Sequence, residues 1–162
     1  MFKLGVMVAD KASGLKGCLT HMQIWGSKDN HSRFYNFQPA KLSEEDGSPA
    51  PRSWITEDRI EGETTADPSL PVEVLGTKAE DIITGFKGTV TAIIFHINGC
   101  LHLELQPQGS HPKSGKMLSP CDFDIRMLKG EAIPNLTEPE LQKSRQERPS
   151  PASHDRVLLR AM

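Results

Sequence analysis

The sequence has few apolar residues and no long apolar run. Hydrophobic side chains make up 36% of the 162 residues, below the share of about 45–50% that is usual in globular domains. The longest apolar run, residues 92–95, is far shorter than the roughly 20 residues of a membrane-spanning helix. The chain also lacks the basic start, apolar stretch and cleavage site of a signal peptide. We therefore expect a protein made in the cytosol with no membrane partner. The 12 prolines and 13 glycines favour small, turn-rich modules over one large core.

Cysteine and net charge are also scarce. The three cysteines, Cys18, Cys100 and Cys121, cannot all pair within one chain, which favours free thiols in a reducing compartment. The net charge of −2 provides no strong positive field to attract nucleic acid or acidic membranes. Nucleic acid is therefore an alternative partner and not the favoured one.

Sequence motifs of common catalytic and cofactor sites are missing. The chain has no phosphate loop, nucleophile elbow, His-Glu-x-x-His motif, dinucleotide fingerprint or Cys-x-x-Cys pair. The best metal candidate is Cys100 with His102, with His96, His111 or Cys121 nearby, but zinc needs three or four converging ligands. The first half of the chain keeps none of these residues in register. We therefore predict no catalytic residues, no metal, no cofactor and no enzymatic activity.

An internal repeat is the strongest signal in the sequence. The second half repeats the turn glycines and strand positions of the first: Leu4-Gly5 aligns with Leu75-Gly76, Asp10 with Asp81, Gly14 with Gly85, and Lys16-Gly17 with Lys87-Gly88. The second copy then drops three residues, and Gln38-Pro39 aligns with Gln106-Pro107. A shared backbone holds such residues in place. The repeat predicts modules at 1–62 and 72–130, a linker at 63–71 and a Pro-rich arm at 131–162.

Each repeat has the pattern of short β-strands. Residues 89–97 suit a pleated strand, and Asn98-Gly99 separates them from an alternating apolar strand at 100–105. Asn-Gly in this setting predicts a two-residue type I′ hairpin turn, with positive φ at both residues. The structural glycines Gly14, Gly17, Gly85 and Gly88 flank tight turns that lead into the long strands. Four or five short strands in about 60 residues predict a small, strongly bent barrel.

One segment carries a resemblance to known proteins. The run Thr84-Gly85-Phe86-Lys87-Gly88-Thr89-Val90, after Gly76 and Asp81, resembles the glycine-spaced signature of KOW-type SH3-like barrels. With Asn98-Gly99-Cys100 and Gln106-Pro107 it is also similar to short uncharacterised proteins of tailed bacteriophages. Residues 75–107 carry the resemblance best and residues 4–39 weakly. It implies an all-β chain of two tandem SH3-like small β-barrels related by internal duplication, plus an extended or partly helical C-terminal arm.

The resemblance itself implies no activity that can be transferred to individual residues. The internal duplication, the near-neutral charge, the missing catalytic motifs and the C-terminal arm favour a non-enzymatic phage structural or assembly protein of the virion, such as a decoration, head or tail accessory subunit. If it is non-structural, we expect it in the host cytoplasm. Its expected partners are other copies of itself or other virion subunits. The candidate partner-binding residues are aromatics of the first repeat and apolar residues of the arm: Trp25, Tyr35, Leu136, Leu141, Val157, Leu158 and Leu159.

Two alternatives stay open. A nucleic-acid-binding KOW-like module is favoured if basic and aromatic residues share one face. A phage-encoded binder of a small molecule or host protein is favoured if a deep pocket is present.

Overall fold

The computed structural model describes residues 1–64, 71–110 and 113–133, so most of the predicted arm lies outside the described residues. Those residues are all-β, which confirms the predicted fold class. The first half contains strands β1 (Met7–Asp10), β2 (Lys16–Gly26), β3 (His31–Pro39), β4 (Ser53–Thr56) and β5 (Ile60–Glu61). The second half contains β6 (Lys78–Asp81), β7 (Lys87–His96), β8 (Leu101–Gln106), β9 (Cys121–Asp124) and β10 (Leu128–Gly130). Short 3₁₀ turns occupy Glu57–Arg59, Val72–Val74 and Ile125–Met127.

The two halves pair their strands in the same order. In the first half β1 pairs with β2 and β5, β2 with β3, and β3 with β4, all antiparallel. In the second half β6 pairs with β7 and β10, β7 with β8, and β8 with β9. A 3₁₀ turn precedes the last strand of each half. This order is compatible with tandem small barrels, and the barrel interpretation stays a prediction.

Strands β2 and β7 join the halves into one ten-stranded sheet. Their five residue pairs run from His21 with His96 to Trp25 with Ala92. The middle pair, Gln23 with Ile94, joins two positions that the sequence repeat makes equivalent. An approximate two-fold axis therefore passes through this pair, as in the interface of a two-fold dimer. We call the β2–β7 pairing the seam; the sequence repeat did not predict it.

Most of the buried apolar side chains form one cluster that includes both halves. Its largest fully buried members include Tyr35 and Phe37 from β3 and Leu103 and Leu105 from β8. Ile133 is also buried in this cluster, so the fold includes the first residues of the predicted arm. The expectation that no large single core would form is thus corrected, since the seam brings both sets of apolar side chains together.

A buried aspartate organises the turn before the long strand in each half. Asp10 and Asp81 are 2% and 3% exposed, and the N–H groups of Gly14 and Gly85 donate to their carbonyl oxygens. The Asp10 carboxylate accepts from Ser13 Oγ at 2.6 Å, and that of Asp81 from Thr84 Oγ1 at 2.5 Å. Because Gly14 and Gly85 have φ of +70° and +73°, any other L-residue there would be strained. The two turns are therefore built in the same way.

The aspartates differ in one partner. Arg59 donates to Asp10 through Nε at 3.0 Å and Nη2 at 2.6 Å. It lowers the pKa of the Asp10 carboxyl well below its usual range, and the Ser13 hydroxyl adds to that effect. In the second half Met127 stands where the first has Arg59. The backbone carbonyls of both residues have the same role, since Arg59 O accepts from Lys11 N–H and Met127 O accepts from Ile82 N–H. The Met127 side chain carries no charge, so the ion pair of Arg59 with Asp10 has no equivalent at this position.

The hairpin at Asn98-Gly99 forms, but the predicted turn type is wrong. Gly99 has φ of +81°, and no described residue other than glycine has positive φ, so Asn98 does not satisfy a type I′ turn. Gly99 N–H donates to His96 O, and His96 N–H donates to Cys100 O, both at 2.9 Å. Residues 97–99 therefore form a three-residue hairpin loop, in which a β-turn from His96 to Gly99 is followed by a G1 bulge at Gly99. Asn98 Oδ1 accepts from Cys100 N–H at 3.0 Å, which explains Asn at this position.

Candidate functional site

The outward side of the sheet at the seam carries an unusual set of side chains. Period-two alternation places core residues such as Met22, Ile24 and Ile93 on one side of β2 and β7. The pairing registers then bring the residues between them to the other side, across β4, β3, β2, β7, β8 and β9. We call this side the seam face. Its main members are Trp25, Phe34, Trp54, His21, His96, His102, Glu104, Asp122 and Asp124.

Three histidines lie side by side at the centre of the seam face. His21 on β2 pairs in register with His96 on β7, and their ring centroids are 4.5 Å apart. His102 on β8 lies on the other side of His96, with centroids at 4.4 Å. The histidines come from both halves, so the seam is what assembles them. Sequence reasoning grouped His96 with His102 but missed His21, because nothing in the sequence shows that β2 pairs with β7.

The environment of His21 and His96 favours the neutral forms of these two imidazoles. Burial, followed by the neighbouring His102 and His21, lowers the pKa of His96 to about 4, and Asp124 opposes that shift. Burial and then Arg52 lower the pKa of His21 from its ordinary value. His96 Nε2 is buried without a hydrogen-bond partner among the described residues. A proton entering this group therefore meets little compensating charge.

Two tryptophans lie on the same face, in the first half. Trp25 on β2 is 54% exposed and Trp54 on β4 is 47% exposed. The Trp54 ring lies beside His21, with centroids 6.3 Å apart. Trp25 was a predicted partner-binding residue, and its exposure leaves it available for that role. Trp54 was not chosen from sequence, although its alternation with Ile55, which is buried, indicates an outward side chain.

The prediction that Tyr35 binds a partner is wrong. Tyr35 has no exposed surface; its hydroxyl accepts from Phe2 N–H at 3.1 Å. Burial raises the pKa of this tyrosine to about 12. Tyr35 lies two residues before Phe37 on one strand, so both point into the core. The predicted arm residues Leu136, Leu141, Val157, Leu158 and Leu159 lie outside the described residues.

The proposed metal ligands do not come together as a set. Cys18, Cys100 and Cys121 are free thiols, and His111 lies outside the described residues. Across the described ranges no group of three or more His, Cys, Asp and Glu side chains is placed to hold a metal ion. The structure brings His96 and His102 together, but as part of the imidazole row.

A separate groove of about 800 Å³ lies in the second half, over β6, β7 and β10. Lys78, Lys87 and Lys129 line it, and Glu80 bridges two of them, at 3.4 Å to Lys87 and 3.2 Å to Lys129. Lys87 and Lys129 therefore have an internal counter-charge, whereas Lys78 donates to Thr89 Oγ1. None of the three lies beside a tryptophan in the described structure. The nucleic-acid alternative requires basic and aromatic residues on one face, a condition that these lysines do not meet.

Charge is distributed unevenly along the seam face. Arg52 precedes β4 beside Trp54, and its Nε donates to Gln38 Oε1 at 2.9 Å. At the opposite end lie Glu104, Asp122 and Asp124, of which Asp124 forms an ion pair with Arg126. The face is therefore aromatic with a positive edge at one end and acidic at the other.

No family model, curated protein or solved structure gives a significant match to this chain. The part of the chain that the structure describes contains no helical segment that could serve as a membrane span.

Proposed function

We propose that the chain is a non-enzymatic assembly protein that docks onto other protein subunits through the seam face. The observation that carries this proposal is the presence of two tryptophans, each about half exposed, on one side of the sheet. Half-exposed tryptophans on one face are typical of protein interfaces. The partner that fits best is a second copy of the chain.

Charge complementarity supports a second copy. Trp54 and Asp122 lie at diagonally opposite corners of the seam face. A two-fold axis between two seam faces, perpendicular to the diagonal from Trp54 to Asp122, would place the faces against each other with these corners reversed. Trp54 and Arg52 of one copy would then face Glu104 and Asp122 of the other. Such an interface is isologous, so each copy supplies both halves of the charge match.

The expected affinity is modest. A tryptophan that is half exposed leaves roughly 100 Å² uncovered, so four of them in a dimer bury about 400 Å², or about 10 kcal/mol at 25 cal/mol per Å². Association costs about 4–15 kcal/mol in lost freedom of motion. One such contact therefore gives a weak dimer, which becomes adequate when many copies engage at once. The placement in a phage virion follows from the resemblance of residues 75–107 and is part of this proposal.

Sedimentation equilibrium over a dilution series tests the docking role. The full chain should self-associate, and the double variant Trp25→Ser with Trp54→Ser should weaken that association at least tenfold. Ile83→Ser is the matched control, because Ile83 is 72% exposed on the β6–β7 turn, away from the seam face. Equal association of the wild type and the double variant, or an equal loss in the control, would contradict the proposal.

Charge-reversal variants, measured by the same sedimentation experiment, test how the two copies are oriented. Arg52→Glu should weaken association because it would face Glu104 and Asp122 of the second copy. Combining it with Asp122→Arg should restore association. If the combined variant is no better than Arg52→Glu alone, the reversed face-to-face arrangement is wrong.

A further inference from the structure

We infer that His21, His96 and His102 form a proton-operated switch that regulates docking on the seam face. In the neutral state the three rings hold Trp54 and the end of the seam in place. Proton uptake drives the rings apart, displaces Trp54 and weakens docking. The regulatory part of this inference rests on the proposed docking function, whereas the movement of Trp54 does not.

The geometry places three proton acceptors in one row. The rings come from three adjacent strands, and His96 lies between its two neighbours at centroid distances of 4.5 and 4.4 Å. His96 Nε2 is buried without a partner in the part of the chain that the structure describes. At this spacing two imidazolium rings repel each other. The row can therefore stay closed only while most of it is neutral.

The hydrogen bonds around His21 leave one of its nitrogens able to take a proton. The Thr20 hydroxyl contacts Asn36 Oδ1 at 3.0 Å and His21 Nδ1 at 2.9 Å. Whichever of the two donates in the contact between Thr20 and His21, the neutral imidazole has one nitrogen that carries no proton.

The surrounding charges do not offset a second positive charge. Arg52, before β4, adds positive charge beside His21 and disfavours its protonation. Asp124, on β9, is the carboxylate that favours protonation of His96, but Arg126 already pairs with it. Glu104, on β8, is held by the Thr91 hydroxyl at 2.6 Å. The row therefore faces two arginines and two carboxylates that are already engaged.

The position of the row connects proton uptake to docking. His21 and His96 form the first of the five residue pairs that join the two halves. The Trp54 ring packs beside His21, so movement of His21 must alter the exposed aromatic surface. Acidification should therefore change the docking surface before it unfolds the sheet.

Fluorescence of Trp54 measures the switch without any partner. The variant Trp25→Phe leaves Trp54 as the only tryptophan, and its emission is followed from pH 7.5 to 4.0 at a concentration where the protein is monomeric. We expect one transition in intensity below pH 6.5, while far-ultraviolet circular dichroism shows that the sheet stays folded. His21→Gln should reduce the amplitude at least fivefold, and the exposed control His31→Gln should leave it unchanged. A flat titration, or equal loss in both variants, would overturn the switch.

A third variant guards against a trivial effect of His21 on Trp54. His102→Gln keeps the His21–Trp54 contact but removes one positive charge from the row, so the midpoint should rise by about half a pH unit or more. An unchanged midpoint would show that the rings titrate independently. A transition abolished by EDTA would indicate a bound metal and would also overturn the inference.

Sedimentation of the wild type at pH 7.5 and pH 5.0 then tests the regulatory part. Association should weaken at least fivefold at pH 5.0, and less in His96→Gln. Association that is equal at both pH values, with the fluorescence transition intact, would refute regulation and leave docking standing. No association at either pH would refute docking, while the fluorescence result would still decide the switch.

Discussion

Gly17 on β2 and Gly88 on β7 are equivalent positions of the repeat, but a Cβ atom would have less room at Gly17 than at Gly88. Substitution of Gly88 therefore serves as an internal control for substitution of Gly17. A Cβ on Gly17 would lie 2.3 Å from Gln38 O and 2.6 Å from the Phe37 ring. A Cβ on Gly88 would lie 2.8 Å from Gln106 O and 3.0 Å from Leu105 Cβ. Ordinary contact begins at 3.4 Å. Alanine at Gly17 therefore forces a larger displacement.

The cost follows from what has to move. At Gly17 the obstacles are strand backbone and the Phe37 ring, which is 1% exposed in the core, so neither can rotate away. Overpacking of this kind costs about 1–3 kcal/mol, and we expect Gly17→Ala to cost about 3 kcal/mol. Gly88→Ala should cost about 1–2 kcal/mol. Replacing glycine by alanine also lowers the conformational entropy of the unfolded chain, which offsets up to about 1 kcal/mol of the destabilisation in both variants.

Urea denaturation of the two single variants and the wild type measures this difference. Phe37→Leu supplies a further test, because leucine occupies the equivalent position, Leu105, in the second half. It should destabilise the wild type but cost less in the Gly17→Ala background, since it removes the ring that the new methyl group meets. If Gly88→Ala is as costly as Gly17→Ala, or if Phe37→Leu is equally costly in both backgrounds, close packing is not what requires glycine here.

Three other predictions concern local groups. Gly99→Val should cost about 1–2 kcal/mol because of its positive φ, whereas Asn98→Ala should cost less than 1 kcal/mol because it loses one hydrogen bond; urea melts showing equal costs would contradict the turn assigned here. Arg59→Met should lower the urea midpoint at pH 7, and the difference from wild type should shrink as the pH falls below 3.8, because the Asp10 carboxylate whose pKa Arg59 lowers then becomes protonated in the unfolded chain. The pKa of His96 lies at about 4 in the folded chain, below its ordinary 6.5. The contribution of the neutral His96 ring to the free energy of unfolding is therefore complete above pH 6.5 and is lost as the pH falls towards 4. After solvent screening we expect this loss to reach about 1–2 kcal/mol, and His96→Gln should remove it from the pH profile of unfolding.

The sequence predicted the features that local chemistry specifies. The aligned Gln38 and Gln106 illustrate this: their Nε2 groups donate to Ala50 O at 2.8 Å and to Leu118 O at 2.7 Å. A glutamine that fixes a loop, or a glycine that allows a left-handed turn, has a short-range role that recurs wherever the same backbone recurs. The all-β class and the positions of the long strands follow from such residues and from alternation.

The candidate site depended on a contact that local chemistry does not encode. The seam pairs β2 with β7, and both strands have the same apolar pattern as any other strand of their half. The hydrogen bonds between two strands are made by backbone groups that are the same in almost every residue. The sequence therefore does not specify which strand of one half pairs with which strand of the other. His21 was therefore not placed beside His96. The error at Tyr35 was avoidable, because alternation from Phe37 already places it in the core.

The two-fold seam also has a consequence for what the surface can display. Two identical chains joined in this way would carry the same residue at both ends of the shared face, and any charge on one end would be repeated on the other. Here the halves are covalently joined and free to diverge. The approximate two-fold axis relates Trp54 to Asp122 and Trp25 to His96. The backbone is therefore nearly symmetric, but the surface it carries is aromatic at one end and acidic at the other. An approaching molecule thus has a single preferred orientation.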